Sequence, residues 1–213
     1  RTGQILGADI MLEWIYITKR IQQGELFEHT SLFLDEENPM DEHYCSASAL
    51  MQSNNLFAHS AVDAMELSQA SKETLIRESL RRLVLHEVGH TLGLNHNFKG
   101  SNLLTYEEIL NKDTTYEKGL CSSVMEYPSI NFSLEAENQG LYYDTIPGPY
   151  DHWAIRFAYT QVDDEGLNAI LDESTKHEHG FANDADDMRG TGKGMDPDAM
   201  IYDLTSEPVL YAI

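Results

Sequence analysis

Basic residues are scarce in this chain: 14 lysines and arginines face 36 aspartates and glutamates, leaving a net charge of −22. That balance excludes a nucleic-acid backbone or an anionic membrane surface as partner. No apolar run approaches the roughly 20 residues that cross a bilayer as a helix, which excludes a membrane span. Cysteine is limited to Cys45 and Cys121, too few for a disulfide scaffold. The two could form one bridge in an oxidising compartment or remain buried thiols. Internal repeats are absent. The chain opens at Arg1 without a methionine or a hydrophobic leader, so Arg1 is not expected to be the start of the gene product.

What is present is a chain of 213 residues, 41% hydrophobic and 23% charged, enough for one domain around a single core. GQILGADIMLEWIYI, from Gly3 to Ile17, is rich in β-branched and aromatic residues and predicts one long strand or a strand bent at Gly7. From Gln22 to Asn55, turn formers such as Asn38, Pro39 and Asp41 predict surface loops around at most one short strand. Ser71 is the expected N-cap of a helix that ends near Gly93. On it Leu75, Ile76, Leu80, Leu83, Val84 and Val88 recur at helical spacing, while Lys72, Glu73, Arg77, Glu78, Arg81 and Arg82 take much of the other face. Thr105 to Lys112 predicts a short helix and Asn131 to Pro149 a loop. Asp151 is expected to cap a helix carrying Trp153, Ile155, Phe157 and Ala158, and the tail after Asp163 is acidic and glycine-rich.

Residues 86–96 read HEVGHTLGLNH. Helical residues four apart differ by about 40° in azimuth, so His86 and His90 share a face and can share one metal ion. Gly93 is the residue best able to take a positive φ and reverse the chain, which returns His96 as a third ligand. Three neutral imidazoles leave a fourth position for water, the open arrangement of a catalytic zinc site. Glu87, next to the first ligand but directed elsewhere, is then available as a base toward that water. HExxH alone arises by accident in helices rich in His and Glu. A further glycine and histidine at two fixed positions occur together by chance only about once in several hundred trials.

With SVMEY downstream, from Ser123 to Tyr127, the chain resembles the metzincin clan of zinc endopeptidases, whose signature is HExxHxxGxxH followed by a methionine turn. The resemblance implies that Met125 forms an apolar floor beneath the histidines. It implies that Tyr127, similar to the tyrosine of astacins and serralysins, approaches the zinc and stabilises the tetrahedral intermediate. Ordinary core packing is the alternative reading of both residues. Asn97 departs from the residues that characterise the familiar metzincin families at that position. RTGQILGADI, HNFKGS and YDHWAIRFAY resemble large bacterial zinc-dependent metalloproteases and, more distantly, the metalloprotease subunit of a cholera-like toxin.

The implied fold is an α+β metzincin-like catalytic domain. A partial mixed sheet and the active-site helix would fill residues 1–96, and a mostly helical, loop-rich subdomain with the Met-turn, a helix and the acidic tail residues 97–213. Metzincins carry several strands and a helix ahead of the catalytic helix, whereas 85 residues precede His86. The chain is therefore expected to lack upstream strands, as an excerpt or a processed fragment. The implied activity is hydrolysis of protein or peptide substrates by zinc-activated water with Glu87 as general base, in an exported bacterial protein. Asn55 to Ala61 is a candidate sheet-edge rim for an extended substrate, with core strand or helix as the alternative.

His29, His43, His59, His152, His177 and His179 lack partners at ligand spacing and are assigned no metal. Asp184, Asp186, Asp187, Asp196, Asp198 and Asp203 stand among glycines and could gather oxygen ligands for Ca2+. EF-hand spacing is absent, and a solvated acidic loop accounts for the same residues. Rival readings are a toxin-like or partner-binding subunit and a zinc-binding fragment without activity, against which the intact Glu87 argues. A gluzincin-like site with a downstream glutamate ligand is disfavoured because His96 fills that place.

Overall fold

The computed structural model describes residues 5–10, 47–187 and 196–212. Seven α-helices among them run in chain order: α1 (Ala47–Ala64), α2 (Gln69–Thr91), α3 (Tyr106–Ile109), α4 (Lys112–Lys118), α5 (Pro149–Tyr159), α6 (Asp164–Leu171) and α7 (Pro208–Ala212). Short 3-10 turns fill Gly100–Leu103, Ala136–Asn138, Asp172–Thr175 and His177–His179. No helix among the described residues is long and apolar enough to cross a membrane.

The expected α+β fold with a partial mixed sheet is overturned, because every regular element among the described residues is helical and none is a strand. Of the strand expected from Gly3 to Ile17, residues 5–10 have no regular structure, and the rest lies outside the described residues. Ile5 and Leu6 are exposed, so this stretch lacks the half-buried pleated surface that makes β-branched residues favour strands. Asn55 to Ala61 is not a sheet edge but the middle of α1. Ala47, Met51, Ala58 and Val62 are its buried residues, spaced by four and seven, and that period belongs to a helix.

α2 carries the motif, and its start and end are both defined by hydrogen bonds. Ser68, not Ser71, is the N-cap, its side chain accepting from the Ser71 N–H. At the other end the Gly93 N–H donates to the His90 carbonyl at 3.0 Å and the Leu94 N–H to the Gly89 carbonyl at 3.0 Å. This is a Schellman turn, and it requires the positive φ of +88° that Gly93 adopts. The face that α2 buries is only partly the one its apolar residues suggest. Leu75, Glu78, Ser79, Arg82, Leu83, His86 and Gly89 are buried, whereas Val84 and Val88 are about one-third exposed. Glu78 and Arg82, expected on the outer face, turn inward because the loops beneath present backbone groups for them to bind. Glu78 accepts from the Tyr142 N–H at 2.7 Å.

α1 lies against α2, and the core they share contains Met51, Leu75, Leu83, Phe98, Tyr127, Tyr142 and Tyr143. A second core holds Leu104, Ile109, Leu120, Cys121, Leu141 and Leu204 beneath α3 and the loops. Cys121 is a buried free thiol; Cys45 lies outside the described residues. α5 begins at Pro149 with Gly148 as N-cap, so Asp151 sits inside the first turn rather than at the cap. The acidic stretch after Asp163 forms α6, which Asp163 caps by accepting from the Gly166 N–H at 2.9 Å.

Candidate metal centre

One helical turn of α2 and the Schellman turn that ends it bring three imidazoles together. One ring nitrogen from each of His86, His90 and His96 lies within 4.8 Å of the others, the only such group of metal-binding side chains among the described residues. The ring centroids stand 4.8 Å apart for His86 and His90, 4.9 Å for His90 and His96 and 5.4 Å for His86 and His96.

Each ring has its Nδ1 engaged. His86 Nδ1 meets the Val124 carbonyl at 2.7 Å, His90 Nδ1 the Leu94 carbonyl at 3.0 Å, and His96 Nδ1 the Asp184 carboxylate at 2.8 Å. All three partners are acceptors, so each Nδ1 donates to its partner, and in the neutral ring Nε2 then keeps its lone pair. Burial, aided by the nearby Arg82 charge, holds His86 well below the ordinary imidazole value, which keeps it in the neutral, ligating form. Three imidazoles, each with one nitrogen tied to an acceptor, are the donor set that zinc takes. The residues fit the ion.

Beneath the rings runs the loop Ser123–Tyr127. Met125 is fully buried, and its sulfur lies where a Cβ on Gly89 would stand, 2.3 Å from that position. Gly89 is one of the three α2 residues between His86 and His90, so the thioether packs against the helical turn that bears those two ligands. Met125 is anchored through its N–H to Ser123 Oγ at 3.0 Å and through its carbonyl to the Asn97 N–H at 3.1 Å. The buried Asp151 carboxylate accepts from Ser123 Oγ at 2.7 Å, the Val124 N–H at 2.8 Å and the Gly148 N–H at 2.8 Å. Tyr127 points its hydroxyl at the metal-facing nitrogen of His96, 2.9 Å away. Glu87 is half-buried on α2.

Two histidines and a glutamate on one helix, a glycine turn returning a third histidine and a methionine beneath them define a metal centre of the zincin class. The family model described as Met-zincin matches residues 68–213, and the chain belongs to that family of metzincin-type zinc metalloproteases. No curated protein and no solved structure matches the chain.

Of the other histidines, two have a ring nitrogen tied to a backbone carbonyl. His177 Nε2 meets the Asn102 carbonyl and His179 Nδ1 the Glu173 carbonyl, while His29 and His43 lie outside the described residues. The aspartates read as candidate calcium ligands do not converge. Asp184 binds His96, Asp186 accepts from the Asn183 N–H, Asp196 pairs with Lys99 and Asp203 accepts from Ser101 Oγ. Calcium has no support in this arrangement.

Gly89 is not singled out in the sequence, and Arg82, Asp151 and Asp184 read there as an outer helix face, a helix cap and a candidate calcium ligand rather than as supports of this centre. Gly89 carried a signal, since an interior helical glycine costs about 1 kcal/mol relative to alanine and therefore asks for a close neighbour. Gly89→Ala is expected to displace Met125 and lower stability by about 1–3 kcal/mol, despite the better helix propensity of alanine. Urea unfolding of the metal-free protein measures this; an unchanged or raised midpoint would show that the sulfur has room to move.

Proposed function

We propose that this chain is a zinc-dependent endopeptidase that hydrolyses internal peptide bonds of protein or peptide substrates. The observation that carries the reading is the convergence of His86, His90 and His96 with every Nδ1 tied to an acceptor. Zinc held by these three residues supplies Lewis acidity toward a substrate carbonyl and toward water. Glu87, one residue after the first ligand, takes a proton from the attacking water and returns it to the departing amine. Tyr127 donates its hydroxyl hydrogen to the carbonyl oxygen as charge builds there, a role supported by its 2.9 Å approach to His96 Nε2. Met125 fills the space below His86 and His90 and limits their movement. An exported bacterial setting belongs to the same proposal and follows from the resemblances in its sequence.

Metal analysis joined to cleavage of a random peptide library tests the proposal. One zinc per chain and products cut within the peptides are expected. Zinc without cleavage would sink the peptidase reading, and trimming from peptide ends alone would sink the endopeptidase part of it.

A further inference from the structure

The three imidazoles are not held alike. His86 and His90 lean on backbone carbonyls of Val124 and Leu94, which the Met-turn and the Schellman turn fix in place. His96, on the loop beyond the helix, leans on a side chain 88 residues away in sequence, the carboxylate of Asp184 at 2.8 Å. At that distance the Asp184 carboxylate must accept from Nδ1–H, because an ionised carboxylate has no proton to give. The opposite nitrogen, Nε2, stands 2.9 Å from the Tyr127 hydroxyl, which can donate to it once Nδ1 carries the proton. The Asp184 carboxylate therefore specifies the tautomer of the neutral His96 ring, with the lone pair on Nε2.

Asp184 is held in position by bonds of its own segment. Asn97, directly after the third histidine, donates from Nδ2 to the Gly180 carbonyl at 3.0 Å and accepts at Oδ1 from the Ala182 N–H at 3.2 Å. The Phe98 N–H donates to the Ala182 carbonyl at 2.7 Å. The turn that follows is closed by the Asn183 N–H on Asp186 Oδ2 at 3.0 Å and the Ala185 N–H on Asn183 Oδ1 at 2.8 Å. The loop bearing His96 and the segment bearing Asp184 are thus stitched side by side, and the stitching is done by the asparagine that sets this chain apart from the familiar metzincins.

We propose that Asp184 is a positioning residue of the metal centre. Its carboxylate fixes the His96 tautomer, orients Nε2 toward the other two ligands and, by its negative charge, makes that nitrogen a better donor to the cation. The proposal rests on the zinc reading of the site. Its claim is specific to Asp184, which the sequence offers only as a candidate calcium ligand or as part of a solvated acidic loop.

Zinc affinity is the readout, taken on chelator-stripped protein by competition with a chromophoric chelator. Asp184→Ala is expected to weaken binding 10- to 100-fold. Asp184→Asn, which keeps an accepting oxygen but loses the charge, is expected to weaken it by a smaller factor. The Asp184 side chain is 59% exposed, so the metal-free variants are expected to melt with the parent by circular dichroism. Nitrogen-15 spectra of His96 in the parent are expected to show the Nδ1–H tautomer. Variants that bind zinc as tightly as the parent overturn this proposal alone. Weaker binding matched by an equal loss of metal-free stability overturns it in favour of a merely structural aspartate. A parent chain that takes up no zinc overturns this proposal together with the reading on which it rests.

Discussion

Replacing Glu87 by glutamine is expected to lower peptide-bond cleavage by about 10²- to 10⁴-fold, the ordinary worth of a general base, while the chain still takes up one zinc ion. The two effects separate because the residue stands beside the metal-binding side chains without being one of them. His86, His90 and His96 form the metal-binding group, and their Nδ1 partners are Val124, Leu94 and Asp184, none of which the substitution touches. Glutamine matches glutamate in shape and helix propensity, and Glu87 is half-buried, so the fold has no reason to respond. What the amide lacks is the ability to accept a proton from water at neutral pH. The check is kcat/KM on a peptide taken from the library, read beside zinc content for parent and variant. Full activity in a zinc-loaded Glu87→Gln protein would remove Glu87 from the reaction.

The parts of this molecule legible in its sequence are those governed by local rules. HEVGHTLGLNH is read from helical geometry and the conformational freedom of glycine, and the structure brings His86, His90 and His96 together through that helix and a positive φ at Gly93. Helix caps are less legible: Ser68 rather than Ser71 caps α2, Asp151 sits inside the first turn of α5, and the caps Thr105 and Asp163 go unnoticed in the sequence. What failed depends on partners far along the chain. Composition at Gly3–Ile17 predicted a strand, but strands need a neighbour, and residues 5–10, the described part of that stretch, pair with none. Periodicity along α2 marked Val84 and Val88 as inner and Glu78 and Arg82 as outer. The structure reverses this because loop carbonyls and N–H groups from residues 123–143 come to meet Glu78 and Arg82. Asp184 was similarly opaque, since nothing within its own segment points to a histidine 88 residues earlier.

Arg82→Met is expected to be the most destabilising single substitution near the site, at about 3–5 kcal/mol, the usual cost of removing one partner from a buried charge pair. Arg82 is the one lysine or arginine buried among the described residues, at 1% exposure. Its guanidinium donates to the carbonyls of Val124 and, at 2.8 Å, of Glu126. It also stands 3.8 Å from the buried carboxylate of Asp144. Burial pushes Asp144 above the ordinary carboxylate range, and the Arg82 charge works against that push. Methionine fills most of the volume but leaves the Glu126 carbonyl without its donor, the Val124 carbonyl with His86 alone and the Asp144 carboxylate without its cation, and water cannot reach these buried groups to compensate. The damage should reach the metal. The Val124 carbonyl that Arg82 grips is the same oxygen that receives His86 Nδ1–H at 2.7 Å, so a loosened turn frees the first ligand and the Met125 floor together. Denaturant midpoints of the metal-free protein and zinc competition on the same samples are expected to fall in parallel, with Arg82→Lys intermediate because it keeps the charge but cannot fork to both carbonyls. An Arg82→Met protein with the parent's midpoint would mean that the turn is held by Asp151 alone, through its bonds to Ser123 and Val124.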